Sequence, residues 1–122
     1  MLRVQSESTP EDIPQRSLDL AHLSKQTLGN RDLEREVLAL FRRQARQVLF
    51  QLEVLTDPQG RFELAHALNG SAKGIGAWRV AAAAQRLELA ARDRMPSGEA
   101  VAELAESVFD VIGEIDDLLV DA

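Results

Sequence analysis

The chain has 122 residues and a formal net charge of −6, with no cysteine and no tyrosine. That length suits one domain, the missing cysteines exclude a disulfide framework and a thiolate zinc site, and the acidic balance argues against a nucleic-acid partner, because phosphate backbones demand a basic surface. No apolar run approaches the roughly 20 residues of a membrane span, and no basic segment followed by an apolar block opens the chain. No membrane role is therefore expected, and the simplest setting is cytoplasmic. Leu, Ala, Glu, Gln and Arg dominate, and all are good helix formers, while Ile and Thr are few. The expected fold class is all-α.

Residues 1–15 include Ser6, Glu7, Ser8, Thr9, Pro10, Glu11 and Pro14, without apolar periodicity, and read as a flexible N-terminal arm. Residues 16–122 read as one helical domain. Ser17 can cap a short helix whose apolar stripe is Leu18, Leu20, Ala21, Leu23 and Leu28, ended by Gly29-Asn30. His22 lies in it with no charged partner nearby in sequence, and reads as a surface or helix-packing residue. Asn30 caps a long second helix that runs to about Thr56, with Asp32 and Glu34 in the first turn, where the helix dipole favours them. Leu33, Val37, Leu40, Phe41, Val48, Leu52 and Leu55 recur along it at helical spacing. Its opposite face carries Arg35, Arg42, Arg43, Arg46 and Gln47, which reads either as solvated or as part of a docking surface for an acidic partner.

Asp57-Pro58-Gln59-Gly60 reads as a turn, and so short a connection makes the flanking helices antiparallel neighbours. The third helix carries His66 and is broken by Gly74 and Gly76. A fourth helix is expected from about Ala77 to Arg92, with Trp78, Ala81, Ala82, Leu87 and Leu89 as apolar elements. Its run Val80-Ala81-Ala82-Ala83-Ala84 is small enough for a neighbouring helix to approach closely. Beyond a loop from Arg92 to Gly98, Ser97 can cap a last helix with the stripe Val101, Leu104, Val108, Val111, Ile112, Ile115 and Leu119. Glu103, Glu106, Asp110, Glu114, Asp116 and Asp117 give that helix an acidic outer face, read as solvated. One short helix followed by four longer ones predicts an antiparallel up-down four-helix bundle with a short additional N-terminal helix.

At about 100° per residue, Leu64, Leu68, Ser71, Ala72 and Ile75 fall together on one side of the third helix. His66 falls opposite, with Phe62 at i−4, Gly70 at i+4 and Lys73 at i+7. A histidine on the wet face has no packing role, so it is a candidate for chemistry. No second ligand is spaced for a metal around it, and Ser71 lies on the wrong side of the helix to act as its nucleophile partner. No P-loop or dinucleotide fingerprint is present either. What fits is an imidazole that is itself the nucleophile and carries a phosphoryl group. That chemistry wants an exposed ring nitrogen, a group holding the other nitrogen, a nearby cation, and room for the donor. His66, Lys73 and the side-chain-free Gly70 meet three of these needs, and a facing helix must supply the fourth.

The string His66-Ala67-Leu68-Asn69-Gly70-Ser71-Ala72, followed by Gly76-Ala77 and Leu87-Glu88, resembles the signature of histidine-containing phosphotransfer (HPt) domains. These are helical-bundle modules of bacterial two-component phosphorelays and of the phosphorylated N-terminal domain of chemotaxis kinases. The resemblance covers about residues 17–120. It implies a four-helix bundle with His66 as the phospho-accepting residue and Gly70 as the small neighbour that gives access. It implies Glu88 as the residue of the next helix that hydrogen-bonds the imidazole, fixing its tautomer. Reflecting His66 across the Gly74–Gly76 turn lands within about a helical turn of Glu88, which otherwise reads as a solvated helix residue. The implied partner is a response-regulator receiver domain, with a hybrid histidine kinase as a further candidate. No cofactor is implied for the chain itself, since the receiver brings the Mg²⁺.

The family usually has a lysine three residues after the histidine, and here that position is Asn69. Its amide can hydrogen-bond a phosphoryl oxygen, and Lys73 can supply the charge from the same face. Phe62 is the candidate centre of a docking face, or else folds back over the bundle end; Leu38 and Arg42 are further candidates across the hairpin. Two other functions stay open on sequence alone. One is a helical adaptor that binds a receiver or another partner without transfer. The other is the phospho-acceptor domain of a larger chemotaxis-type histidine kinase.

Overall fold

The computed structural model describes residues 17–120, so the arm expected over residues 1–15 lies outside the described residues. The described chain is all-helical: α1 (Leu20–Gln26), α2 (Arg31–Val54), α3 (Pro58–Ile75), α4 (Trp78–Arg92) and α5 (Gly98–Val120). In this helical bundle α2 packs on α3, α3 on α4, α4 on α5, and α5 back on α2, while α1 rests on α3. The pair α3 and α4 therefore shares one side, and α2 and α5 share the other.

Each helix starts and stops for local reasons. Asp19, not Ser17, caps α1: its carboxylate accepts from the His22 N–H at 3.1 Å. An ionised carboxylate beside the free N–H groups of a first turn is the stronger acceptor. Thr27 ends α1 and is buried, its hydroxyl bonded back to the Leu23 carbonyl. Leu28 and Gly29 both take positive φ. The expected apolar role of Leu28 fails, because this left-handed turn throws the side chain into water, 91% exposed. Asn30 caps α2 as expected, accepting from the Leu33 N–H at 2.9 Å. Asp57 caps α3 from the Gly60 N–H at 2.8 Å. The expected turn Asp57-Pro58-Gln59-Gly60 is thus the first turn of the helix, with Pro58 where a missing N–H costs nothing.

Gly74 does not break α3. It lies within the helix, and Gly76 alone ends it, with φ 81°. The Ala77 N–H bonds to the Ala72 carbonyl and the Gly76 N–H to the Lys73 carbonyl, which closes a Schellman turn. The turn is clasped from outside. The Asp19 N–H donates to the Gly76 carbonyl, and the Trp78 indole N–H donates to the Asp19 carboxylate at 2.9 Å. The His22 ring packs 4.9 Å from Trp78, and its Nε2–H donates to the Lys73 carbonyl. His22 is the packing residue expected of it. Trp78 and Leu89 are not core elements, being 46% and 42% exposed.

The core takes Phe41, Ala45, Val48 and Leu52 from α2, Leu68 and Ala72 from α3, Leu87 from α4, and Leu104, Val108, Val111 and Ile115 from α5. Leu33 and Leu40 of the expected α2 stripe sit at its edge and are 40% and 55% exposed. Buried alanines, Ala65 and Ala72 on α3 and Ala81 and Ala84 on α4, keep the α3–α4 seam narrow. At the far end, the Arg61 guanidinium donates to the Leu52 and Leu55 carbonyls and to the Ser97 hydroxyl, tying the α2–α3 connection to the start of α5. The outer face of α5 is less solvated than expected. Arg86 forks onto Glu103, Arg79 pairs with Asp110, Arg42 with Asp116, and Glu114 accepts the Leu18 N–H. No described helix is long and apolar enough to cross a membrane.

Two predictions follow from the Gly76 turn. A Cβ at Gly76 would lie 2.9 Å from the Asp19 carbonyl oxygen, and an L-residue pays about 1–2 kcal/mol for left-handed backbone alone. Gly76→Ala is expected to lower stability by about 2 kcal/mol or more in urea denaturation, whereas Gly74→Ala, which meets open space inside a helix, raises it. The second concerns charge. The Trp78 indole N–H, and then the His22 N–H, hold the Asp19 carboxyl below its ordinary value. A depressed carboxylate stabilises the fold above its unfolded-state value near pH ~4, and that stabilisation is lost as pH falls through the folded value. Asp19→Asn should therefore lower the Tm at pH 7, with the gap closing below pH ~4. An equal gap at both pH values would show that the charge is not its source.

Candidate functional site

The middle of α3 faces α4 across the alanine seam. The two helices leave the Gly76 turn in opposite directions with nearly equal rise, so residues equally far from the turn meet. His66 and Glu88 are such a pair. His66 Nδ1 lies 3.0 Å from Glu88 Oε2. The carboxylate can only accept, so Nδ1 carries the proton and Nε2 holds the free lone pair. The imidazole side chain is 69% exposed, and that of Glu88 only 18%. The ring nitrogen that could react therefore faces outward, and its anchor is sheltered. The second Glu88 oxygen, Oε1, is buried and has no hydrogen-bond partner among the described residues.

Phe62, one turn before His66, is half-buried, and its ring lies parallel to the imidazole at 5.8 Å with an interplanar angle of 8°. Phe62 also forms a shallow groove with Pro58, Gln59, Ala91, Arg92 and Arg94. It thus serves as a wall of the histidine and remains reachable from outside. Gly70, one turn after His66, is exposed, and a Cβ there would meet nothing within 4 Å. Lys73 is exposed about 10 Å further along the axis and makes no ion pair among the described residues. Asn69 is half-buried with its Oδ1 turned inward and unpartnered. His66, Glu88, Phe62, Gly70 and Asn69 are thus brought to one stretch of the α3–α4 side, with Lys73 at its far end.

Leu38 and Arg42 do not belong to this site. Leu38 is 3% exposed, on the inner stripe of α2 with Phe41 and Ala45, so no partner can touch it. Arg42 turns to α5 and pairs with Asp116, on the side of the bundle away from His66. Lying across the hairpin is not enough to join the site, because rotation about the α2 axis turns both side chains elsewhere. Sequence reasoning missed the Asp19–Trp78–His22 clasp that fixes the α3–α4 turn. Its only signal was an acid three residues before a histidine, a weak capping pattern. Among the described residues, no three His, Asp or Glu side chains cluster as a metal site would.

No curated protein and no solved structure matches the chain. A family model does: the Hpt domain model matches residues 36–120, from the first turns of α2 to the end of α5, and so includes both His66 and Glu88. That match spans well over half of the sequence, and the chain belongs to the Hpt domain family.

Proposed function

We propose that this Hpt domain protein relays a phosphoryl group between receiver-domain aspartates through a phosphohistidine at His66. The reading takes the four long helices as an antiparallel up-down bundle whose α3–α4 side presents the nucleophile. The observation that carries it is the pairing of an exposed imidazole with a sheltered carboxylate at 3.0 Å. Membership in the family supports a phosphotransfer role in phosphorelays in general; the assignment to His66 rests on this geometry.

In the forward step the Nε2 lone pair attacks the phosphorus of a receiver's aspartyl phosphate. The Nε2–P bond forms as the P–O bond to the aspartate breaks, and the carboxylate departs with that electron pair. The imidazole becomes cationic, still protonated on Nδ1, and Glu88 stabilises that charge across the same hydrogen bond. Return transfer reverses the roles, with a receiver carboxylate attacking phosphorus and neutral His66 leaving. The Asn69 amide N–H groups donate to a phosphoryl oxygen, a role compatible with an inward Oδ1. Lys73 supplies the positive charge, Gly70 leaves the approach open, and Phe62 forms the apolar edge on which the receiver settles. The receiver brings the Mg²⁺ and the acidic pocket; a hybrid histidine kinase that carries such a receiver is the expected upstream donor.

Label transfer from a phosphorylated receiver tests this directly. Wild-type protein should take up label, His66→Gln should not, and label persisting in His66→Gln removes the site assignment. Failure of transfer from every receiver of the source organism would favour a non-transferring adaptor. Glu88→Ala should slow transfer by about tenfold or more, while Glu88→Gln keeps an acceptor for Nδ1–H and part of the rate. Gly70→Leu separates folding from function. Replacing an exposed helical glycine should raise stability by about 0.5–1 kcal/mol, yet the side chain stands beside His66 and should block transfer. Loss of helicity in that variant would contradict the open surroundings of Gly70.

A further inference from the structure

The side of the bundle formed by α2 and α5 carries a second feature that the phosphoryl site does not use. On α2, Arg43, Arg46 and Phe50 follow one another at i, i+3 and i+7, all exposed. On α5, Glu106 and Phe109 are likewise exposed three residues apart, and Phe50 and Phe109 are each 66% accessible. The pairing of Arg42 with Asp116, and of Arg35 with the Leu118 and Leu119 carbonyls, sets the antiparallel register of these helices. Counting from those contacts at equal rise puts Phe109 level with the stretch between Ala45 and Leu49, at the height of Arg46 and Phe50. The two rings thus stand on neighbouring ridges of one face. Arg43, Arg46 and Glu106 form no ion pair among the described residues.

Charge decides what covers this face. The α2 ridge is basic at its centre, and every charged residue of α5 is a carboxylate. A face with one basic and one acidic ridge, running antiparallel, complements itself under a two-fold axis parallel to the helices. That operation sets α2 of one copy against α5 of the other at the same height, with Arg46 level with Phe109, and with Glu106 and Phe50 about one helical turn along from it, within reach of the long arginine side chain. A two-fold axis across the helices would instead set α2 against α2, arginine on arginine, and is disfavoured. We infer that the α2–α5 face is an isologous interface at which a second copy of this chain binds, with the Phe50 and Phe109 rings at its centre and Arg46–Glu106 pairs beside them. Exposed aromatic rings flanked by arginine are the residue types that anchor such contacts. His66, on the α3–α4 side, stays open in both copies.

Sedimentation equilibrium of the full chain over about 1–300 μM tests the inference. The mass should approach two chains at the upper end. Arg46→Glu and Glu106→Arg should each raise the dimer dissociation constant about tenfold or more, and the double reversal should restore it. Phe109→Ser should also weaken the dimer while helicity and label uptake by His66 persist, since the position is exposed and remote from the site. A mass of one chain throughout overturns the proposal, as does a dimer that both charge reversals leave intact. A mass that climbs past two chains would overturn the two-fold arrangement.

Discussion

The close approach of α3 and α4 is the constraint on which the rest of the molecule depends. Glutamate is short, so its carboxylate reaches an imidazole on the next helix only if the backbones come near. Alanines at 65, 72, 81 and 84 remove the side-chain bulk that would hold them apart. The approach is then fixed at one end by the Gly76 turn and its clasp of Asp19, His22 and Trp78. Slack at that turn would shift the register of α3 on α4, and a single residue of slip turns Glu88 about 100° away from His66. The small residues and the histidine–carboxylate pair are one device.

Much of this was legible in the chain itself, because helical periodicity is a strong signal and the site lies on regular helix. The outward face of Phe62, His66, Gly70 and Lys73 follows from spacing alone and is found as read. The pairing of His66 with Glu88 comes from the family resemblance, and a hairpin count across the turn agrees with it to within about a helical turn. Ends of helices were harder. Ser17 and Asp19 both have capping side chains, and the choice depends on Trp78, distant in sequence, which draws the chain at Asp19 into place. Leu28 looked apolar by type and periodic by position, yet the Schellman turn beginning at Ser24 put it in left-handed backbone and in water. Tertiary partners explain the remaining differences. An acidic stripe reads the same whether its carboxylates meet water or arginines from two other helices. Leu38 fails as a surface candidate because its position around α2 points it into the core beside Phe41 and Ala45.

The site's geometry suits the phosphoryl carriage proposed for it. The imidazole stands on a convex helix face, with a phenylalanine wall on one side and open space over Gly70 on the other. Among the described residues, none closes over His66 to gather the charges that a transferring phosphoryl group needs. What the bundle contributes is orientation: one nitrogen is held, the other is presented. In the proposed relay the remaining groups arrive with the receiver, and selectivity between receivers falls to the surface around His66. That proposal makes Phe62, Asn69 and Lys73 recognition residues as well as electrostatic ones.

The arrangement of faces completes that logic. A carrier of the kind proposed meets a donor and an acceptor in turn at one histidine, so its α3–α4 side stays uncovered. The exposed rings of Phe50 and Phe109 lie on the opposite side, where association between copies hides apolar surface without competing for the site. In the two-fold arrangement inferred for that face, the two histidines point away from each other. One particle then meets two receivers at once, and each encounter leaves the interface undisturbed. Charge separates the two surfaces further. The back face pairs arginine with carboxylate and is self-complementary, whereas the front offers Lys73 without a neighbouring acid to neutralise it. Under the two proposals together, the bundle distinguishes its own kind from a receiver's acidic pocket by which pair of helices it presents.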